Sequence, residues 1–282
     1  MAKLKYPLKT DTMFKMMFVR HPELLKRLVV ALLGVNFESI ESLEVTNSEM
    51  SPEIVGGKFC RLDINMKIDG QQVNLEIQVR DEGDYPERTL FHWARLYSSA
   101  LPSGEDYRKL PRTVVISIVD FHLFDCAGFH SEFRPLEATR HEPLTDKLSL
   151  HFFELRKLPS ELDSGDPALL WLSLFGAETE EALEKIKALE VPVMEQAINA
   201  YSQIAADPAF AELARQREIA LHNEASALRH ARDQERNKWQ GVILGMGAEM
   251  TRKDAEMTRK DAEIAGRDAE IERLRAELRA KS

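Results

Sequence analysis

The sequence predicts a mixed α/β domain followed by a C-terminal helical region. In residues 1–158, segments that alternate apolar and polar residues, as half-buried strands do, lie between segments with helical spacing. Residues 159–238 lack this alternation, and their apolar residues recur at helical spacing. Residues 239–282 repeat every seven residues, which is typical of a heptad helix. We therefore expect three parts: an α/β domain, a helical region and a heptad-repeat tail.

The clearest predicted element is a β-hairpin in residues 58–83, KFCRLDINMKIDGQQVNLEIQVRDEG. Apolar and polar residues alternate on both sides of Asp69-Gly70, a dipeptide that favours a two-residue turn because both central positions need a positive φ. If these two residues form the loop, Ile68 faces Gln71, and the apolar residues of the two strands face each other. The same register places Asp63 directly opposite Glu76.

Two opposed carboxylates need an explanation. Directly opposed residues have Cβ atoms roughly 4.5–5.5 Å apart, and like charges at that distance destabilise a sheet. A divalent cation would remove the repulsion, because hard cations bind carboxylate oxygens. A solvated polar face that tolerates one unfavourable pair is an equally good interpretation of the pattern alone.

Local signals predict the elements around the hairpin. Pro22 separates two helical segments, of which the first has Thr10 as a candidate N-cap and the second ends at Gly34. Another helix is expected after the hairpin, because Pro86 fits a first helical turn. Further strands are expected in three segments, 40–49, 112–121 and 149–155.

The C-terminal tail carries one apolar residue per heptad. These residues are Ile243, Met250, Met257, Ile264, Ile271 and Leu278. A second apolar position per heptad would be needed for a good coiled-coil seam, but Lys253, Lys260 and Arg267 occupy it. A weak coiled coil and a single solvated helix with many i,i+4 ion pairs both fit. Trp239 and the glycines at 241, 245 and 247 predict a break before the repeats.

Composition narrows the functional classes. The net charge of −9 argues against a purely basic nucleic-acid clamp, although a local basic patch remains compatible with it. Cys60 and Cys126 are widely spaced, which argues against disulfide scaffolding and structural zinc and fits a reducing cytosol. The N-terminal segment lacks the apolar stretch of a signal peptide, and we expect no membrane-spanning helix.

The histidines and serines form no recognisable catalytic pattern in the sequence. His122, His130, His141 and His151 are scattered without the spacing of metal ligands. Nor does His92, with Ser98 and Ser99 nearby, form a recognisable nucleophilic arrangement.

The chain resembles a known nuclease family. Asp63, followed on the next strand by Glu76-x-Gln78, resembles the PD-(D/E)xK nuclease core, although Gln78 occupies the lysine position and no Pro precedes the Asp. Further motifs follow in order: TDTMFKMMF, LEIQV, YPERTLFHWARLY and GEDYRKLPRTVVISIVDF. Over about residues 5–155 the chain is similar to the recombination-promoting nucleases, which are PD-(D/E)xK nuclease family transposases.

This resemblance implies a restriction-endonuclease-like α/β core, a C-terminal helical extension and Mg²⁺-dependent DNA endonuclease activity. Together with the two separated cysteines, it leads us to expect a cytoplasmic protein. Asp63 and Glu76 would be catalytic metal ligands, and Gln78 would stand where other nucleases have a catalytic lysine. Asp11 resembles an acidic residue that completes the metal site, and a helix-dipole or capping role is an equal alternative. Mn²⁺ is an alternative ion, DNA is the implied partner, and the C-terminal helices could join two or more copies.

Two arginines are candidate phosphate ligands. Arg88 matches an arginine of the family on the helix after the hairpin, where its guanidinium could hold a phosphate or pair with Asp84 or Glu87. The hairpin register places Arg61 opposite Gln78, so Arg61 could supply the positive charge that Gln78 lacks.

Other functions use the same residues. A catalytically reduced core, kept as a nucleic-acid-binding or assembly module, would explain Gln78 and the acidic net charge. A nuclease directed at RNA, or one used in defence, would share the predicted site.

Overall fold

A computed structural model describes residues 2–46 and 64–281. By contact, the chain forms two compact units, residues 1–215 and residues 216–282. The predicted boundaries after residues 158 and 238 stay a prediction about domain organisation.

The first unit is built around a six-stranded sheet. Its spatial order is β1-β2-β3-β4-β6-β5, in which β3, β4 and β6 run parallel and the other neighbours are antiparallel. The strands are β1 Leu43–Val45, β2 Ile64–Ile68, β3 Gln71–Gln78, β4 Thr113–Val119, β5 His130–Phe133 and β6 Leu148–Glu154. The helices are α1 Asp11–Arg20, α2 Pro22–Leu33, α3 Tyr85–Ser99, α4 Pro167–Gly176, α5 Glu180–Lys187, α6 Pro192–Ala206 and α7 Pro208–Lys281.

Helices cover the two faces of the sheet unequally. The face that carries Val73, Leu75 and Ile77 shares a large apolar core with α1, α2, α4, α5 and α6. The opposite face, which we call the α3 face, has a smaller apolar cluster in which Val115, Val119 and Phe152 pack with Tyr85 of α3. Because α3 is the main helix on this side, polar side chains of β3 and β4 lie beneath it.

The helical predictions are largely confirmed. Pro22 is the first residue of α2, and His21 between the two helices is the C-cap of α1. Gly34, with φ of 62°, is the C-cap of α2. Thr10 precedes α1, but its hydroxyl donates to the carbonyl of Pro7 and makes no capping bond. The prediction of a side-chain cap at Thr10 is therefore wrong.

The hairpin has the predicted register. Asp69 and Gly70 have φ of 48° and 77°, the two positive values that the tight turn requires. Pairing runs from Ile68 with Gln71 to Ile64 with Leu75, which is the last pair described. Asp63, Arg61 and Cys60 lie outside the described residues, so the pairing of Asp63 with Glu76 stays a prediction.

Strands β4 and β6 confirm the predicted segments, whereas β5 was missed. No strand follows β6 in the described residues, as the change of pattern after residue 158 predicts. No helix in the described ranges is both long and apolar enough to cross a membrane.

In the second unit, residues 216–281 belong to the continuous helix α7. The glycines at 241, 245 and 247 lie inside it, so the predicted break is wrong. Exposed apolar residues recur every seven positions along this helix. Ion pairs of 2.9 Å join side chains four residues apart. These pairs are Glu249–Lys253, Glu256–Lys260 and Glu263–Arg267.

We predict that Gly70→Ala destabilises the protein by about 1–2 kcal/mol, because a side chain at positive φ costs that much. Gly128→Ala is the matched control, since Gly128 has no positive φ and an added Cβ would make only an ordinary 3.8 Å contact. Urea unfolding measures both variants. Equal free energies of unfolding for the two variants would contradict the cost of a side chain at the positive φ of Gly70.

Candidate active site

Glu76 is the centre of the candidate site. It lies two residues before the end of β3, on the α3 face, with only 2% of its surface exposed. A carboxylate this deeply buried requires positive charge or hydrogen-bond donors around it.

Aromatic contacts fix α3 above Glu76. At the start of the helix, the ring of Tyr85 packs edge-on against Phe121 and Phe152. Two turns later, the indole N–H of Trp93 donates to the carbonyl of Thr113 at 3.0 Å. Held at both points, α3 directs its side chains onto β3.

Two basic side chains of α3 point at Glu76. Nη2 of Arg88 lies 3.5 Å from Oε1, and Nδ1 of His92 lies 4.0 Å from Oε2. Residues four apart share one face of a helix, so both side chains meet the same carboxylate. No role was predicted for His92 from the sequence, although its spacing of four residues from Arg88 could have suggested one.

Arg88 is surrounded by acids. Its Nη1 lies 2.9 Å from Glu82 and 3.8 Å from Asp84, and its guanidinium stacks 4.6 Å above the ring of Tyr85. Of the two acidic partners expected for Arg88 from the sequence, Asp84 lies within ion-pair distance. The second acidic partner is Glu82 and not Glu87. Among the described residues, the Nε of Arg88 is buried without a hydrogen-bond partner.

An asparagine pair shows that opposed side chains on this face touch. Asn65 of β2 and Asn74 of β3 are partners in the register, and the amide of Asn74 donates to Asn65 at 2.8 Å. The pair lies on the α3 face, one step of the pleat from Glu76. If the register continues by one residue beyond Ile64, the side chains of Asp63 and Glu76 would be as close as those of the asparagines.

Gln78 ends β3 in a half-buried position. Its amide nitrogen donates to the carbonyl of Arg80 at 2.8 Å, and its own backbone carbonyl accepts from the N–H of Asp120 at 2.9 Å. Asp120 binds Lys9 at 2.7 Å, and Lys9 also binds Glu178 at 2.5 Å. Neither Lys9 nor Asp120 was predicted from the sequence, because this pair joins residues 111 positions apart.

Lys9 stays charged although it is largely buried. Burial lowers its pKa, but the hydrogen bonds and charges of Asp120 and Glu178 outweigh that effect, so the pKa lies above its usual value. Lys9 therefore ties the start of α1 to the end of β4. Asp11 opens α1 two residues after Lys9 and is half-buried.

The described residues contain only part of the predicted metal site. Within residues 2–46 and 64–281, no group of three or more His, Cys, Asp or Glu side chains could hold a metal ion. Since Asp63 lies outside these ranges, the predicted ligand set of Asp63, Glu76 and Asp11 stays a prediction.

A second polar cluster lies at the β5 edge of the sheet. Nε2 of His130 is 3.1 Å from Nδ1 of His151, whose Nε2 lies 2.8 Å from Ser149 and 3.5 Å from Glu132. Burial lowers the pKa of His151 to about 4, so it is neutral at pH 7. The four scattered histidines therefore include one adjacent pair, and the β5–β6 pairing that joins them was invisible in the sequence.

The parallel strands, the hairpin with a buried acid and the helices on both faces define a restriction-endonuclease-like α/β core with a C-terminal helical extension. The chain belongs to the PD-(D/E)XK nuclease family transposases, whose family model matches residues 8–231. This confirms the resemblance and extends it into the helices beyond residue 155. No curated protein and no solved structure matches the chain.

We predict that Arg88→Ala lowers the free energy of unfolding in EDTA by roughly 2–3 kcal/mol, because it leaves the buried Glu76 carboxylate without its nearest described cation. In a Glu76→Gln background the loss shrinks by at least about 1 kcal/mol, since no charge remains to be compensated. Urea unfolding of the two single variants and the double variant gives the coupling.

Arg95→Ala is the control, because Arg95 is exposed on the same helix, and we expect a change within about 0.5 kcal/mol. Additive effects of Arg88→Ala and Glu76→Gln would contradict the pairing.

Proposed function

We propose that the protein is a metal-dependent endodeoxyribonuclease that hydrolyses phosphodiester bonds, with Glu76 as a metal ligand. One observation carries the proposal: Glu76 is buried on the α3 face at the point where the hairpin register would bring Asp63 opposite it. The contact between Asn65 and Asn74 supports the spacing of that pair. Membership of a nuclease family supports the reaction class.

The residues fit a hard divalent cation. Asp63, Glu76 and Asp11 would offer carboxylate oxygens, which Mg²⁺ and Mn²⁺ prefer. In the described structure a positive charge already lies near Glu76, because Arg88 is 3.5 Å away and only 12% exposed. Bound at this site, Mg²⁺ would supply an activated water and positive charge for the phosphate.

The other site residues have supporting roles. Gln78 can orient a water through its side-chain carbonyl but adds no charge. We propose that Arg61 supplies the missing cation, because the register would place it opposite Gln78. Arg88 would bind a DNA phosphate if Glu82, which is 54% exposed, gives up its contact.

The tail is proposed to join two or more copies of the chain. Its heptad residues remain exposed: Met250 by 66%, Met257 by 63% and Ile264 by 56%. One apolar residue per heptad on an exposed helix supports a weak coiled coil, in which Lys253, Lys260 and Arg267 occupy the second seam position. We also place the protein in the cytoplasm, on the argument from its two separated cysteines, and its reaction in DNA recombination, as the family description suggests.

We predict that the natural sequence nicks supercoiled plasmid in Mg²⁺ or Mn²⁺ and not in EDTA. Asp63→Ala and Glu76→Gln should each reduce the rate on the order of 100-fold or more, because each removes charge that the reaction needs. Glu87→Gln removes an exposed carboxylate from α3 and should leave the rate within about twofold. Gel electrophoresis of the plasmid measures the rates.

Cutting in EDTA, or undiminished cutting by Glu76→Gln, would refute the assignment. DNA retention without cutting would favour the binding-module alternative. A single-stranded RNA substrate in the same assay tests the RNA alternative. Unchanged cutting by Arg61→Ala would exclude Arg61 as the replacement cation.

We predict that the full chain is oligomeric by size-exclusion chromatography with light scattering. Lysines on the apolar seam should give a monomer, whereas lysines on the opposite side of the helix should not, because only the seam is buried in a coiled coil. The seam variant is Met250→Lys/Met257→Lys/Ile264→Lys, and the control is Ala255→Lys/Ala262→Lys/Ala269→Lys. A monomeric natural protein would contradict the proposal.

A further inference from the structure

Ser117 lies beside Glu76 in the middle of the sheet. The two residues are direct partners in the parallel pairing of β3 with β4, and Ser117 is fully buried. Its partner on the other side, in β6, is Phe152. Adjacent strands in register direct paired side chains to the same face, so the hydroxyl of Ser117 is on the α3 face with the carboxylate of Glu76.

Among the described residues, Glu76 is the one polar side chain directly adjacent to Ser117 on the α3 face, either across a strand pair or along β4. Along β4, the residues two before and two after it on the same face are Val115 and Val119, and both belong to the apolar cluster with Phe152. The hydroxyl therefore has three apolar neighbours and one carboxylate neighbour.

The hydroxyl of Ser117 is unsatisfied in the described part of the chain. Its Oγ is buried and has no hydrogen-bond partner among the residues that the structure describes. A buried hydroxyl without a partner destabilises the folded state, and alanine at the same place would avoid that cost. Because this unsatisfied donor lies next to the proposed metal ligand, it points to a role in metal binding and not in stability.

We propose that Ser117 is a positioning residue for the metal site: its hydroxyl donates to the carboxylate of Glu76 and orients that carboxylate when it binds a divalent cation. The inference rests on the proposed function of Glu76. Metal ligands are commonly oriented by hydrogen bonds from residues that do not touch the metal, and removing such a bond weakens metal binding about 10- to 100-fold.

Thr113 provides a matched control on the same strand. It is also fully buried, its Oγ1 also has no hydrogen-bond partner in the described part of the chain, and it lies on the same face. Its partner in β3 is Gln72, four residues before Glu76, which is roughly 13 Å along the strand. Thr113→Val removes this hydroxyl without changing the shape of the side chain.

The test compares Ser117→Ala, Thr113→Val, Glu76→Gln and the natural chain by calorimetric titration with Mn²⁺ alone, and by thermal unfolding in EDTA. We expect Ser117→Ala to weaken Mn²⁺ binding by about 10-fold or more while its Tm in EDTA falls by no more than about 2 °C. Thr113→Val should keep the Mn²⁺ affinity within about twofold, with a similar Tm. Glu76→Gln should lose Mn²⁺ binding.

Two results would overturn the inference, and they differ in what they mean for the proposed function. If Ser117→Ala binds Mn²⁺ as tightly as Thr113→Val while Glu76→Gln does not bind, Ser117 has no positioning role and the metal site stands. If the natural chain binds no Mn²⁺, or Glu76→Gln binds it as well, the metal site fails and the role of Ser117 fails with it.

Discussion

The register of the β2–β3 hairpin is the constraint on which the candidate site depends. Asp69 and Gly70 adopt the two positive φ values of a tight turn. This turn allows only one pairing of β2 and β3, the two strands that it joins. A shift of one residue would turn Glu76 from the α3 face into the large apolar core. The turn thus decides which side chains of β2 and β3 share the α3 face.

Burial gives that constraint its chemical effect. With 2% of its surface exposed, Glu76 must be compensated by the groups around it, and the packing of α3 brings Arg88 and His92 to within 4.0 Å. The same burial isolates the hydroxyl of Ser117 beside the carboxylate. A buried polar group without a hydrogen-bond partner, such as the Ser117 hydroxyl, lowers the free energy of unfolding, and a bound ligand can supply the missing interaction.

Local signals made part of this structure predictable. The hairpin followed from period-two alternation around Asp69-Gly70, and α3 followed from Pro86. The position of His92 could have been inferred from its spacing four residues after Arg88. The position of Ser117 could not, because a strand with a continuous apolar run does not show which of its residues share a face with Glu76. Strand β5 was missed because most of its residues are exposed and show no alternation. The helix α7 continues through its glycines, whose cost of about 1 kcal/mol each a long helix can absorb.

The most direct test is a crystal structure of the natural chain with Mn²⁺, in which anomalous scattering locates the ion. The account predicts one strong peak on the α3 face, bound by carboxylate oxygens of both Asp63 and Glu76 at about 2.0–2.3 Å. It would be contradicted by an Asp63 side chain on the opposite face of the sheet, or by an ion bound elsewhere while Glu76 keeps its contact with Arg88.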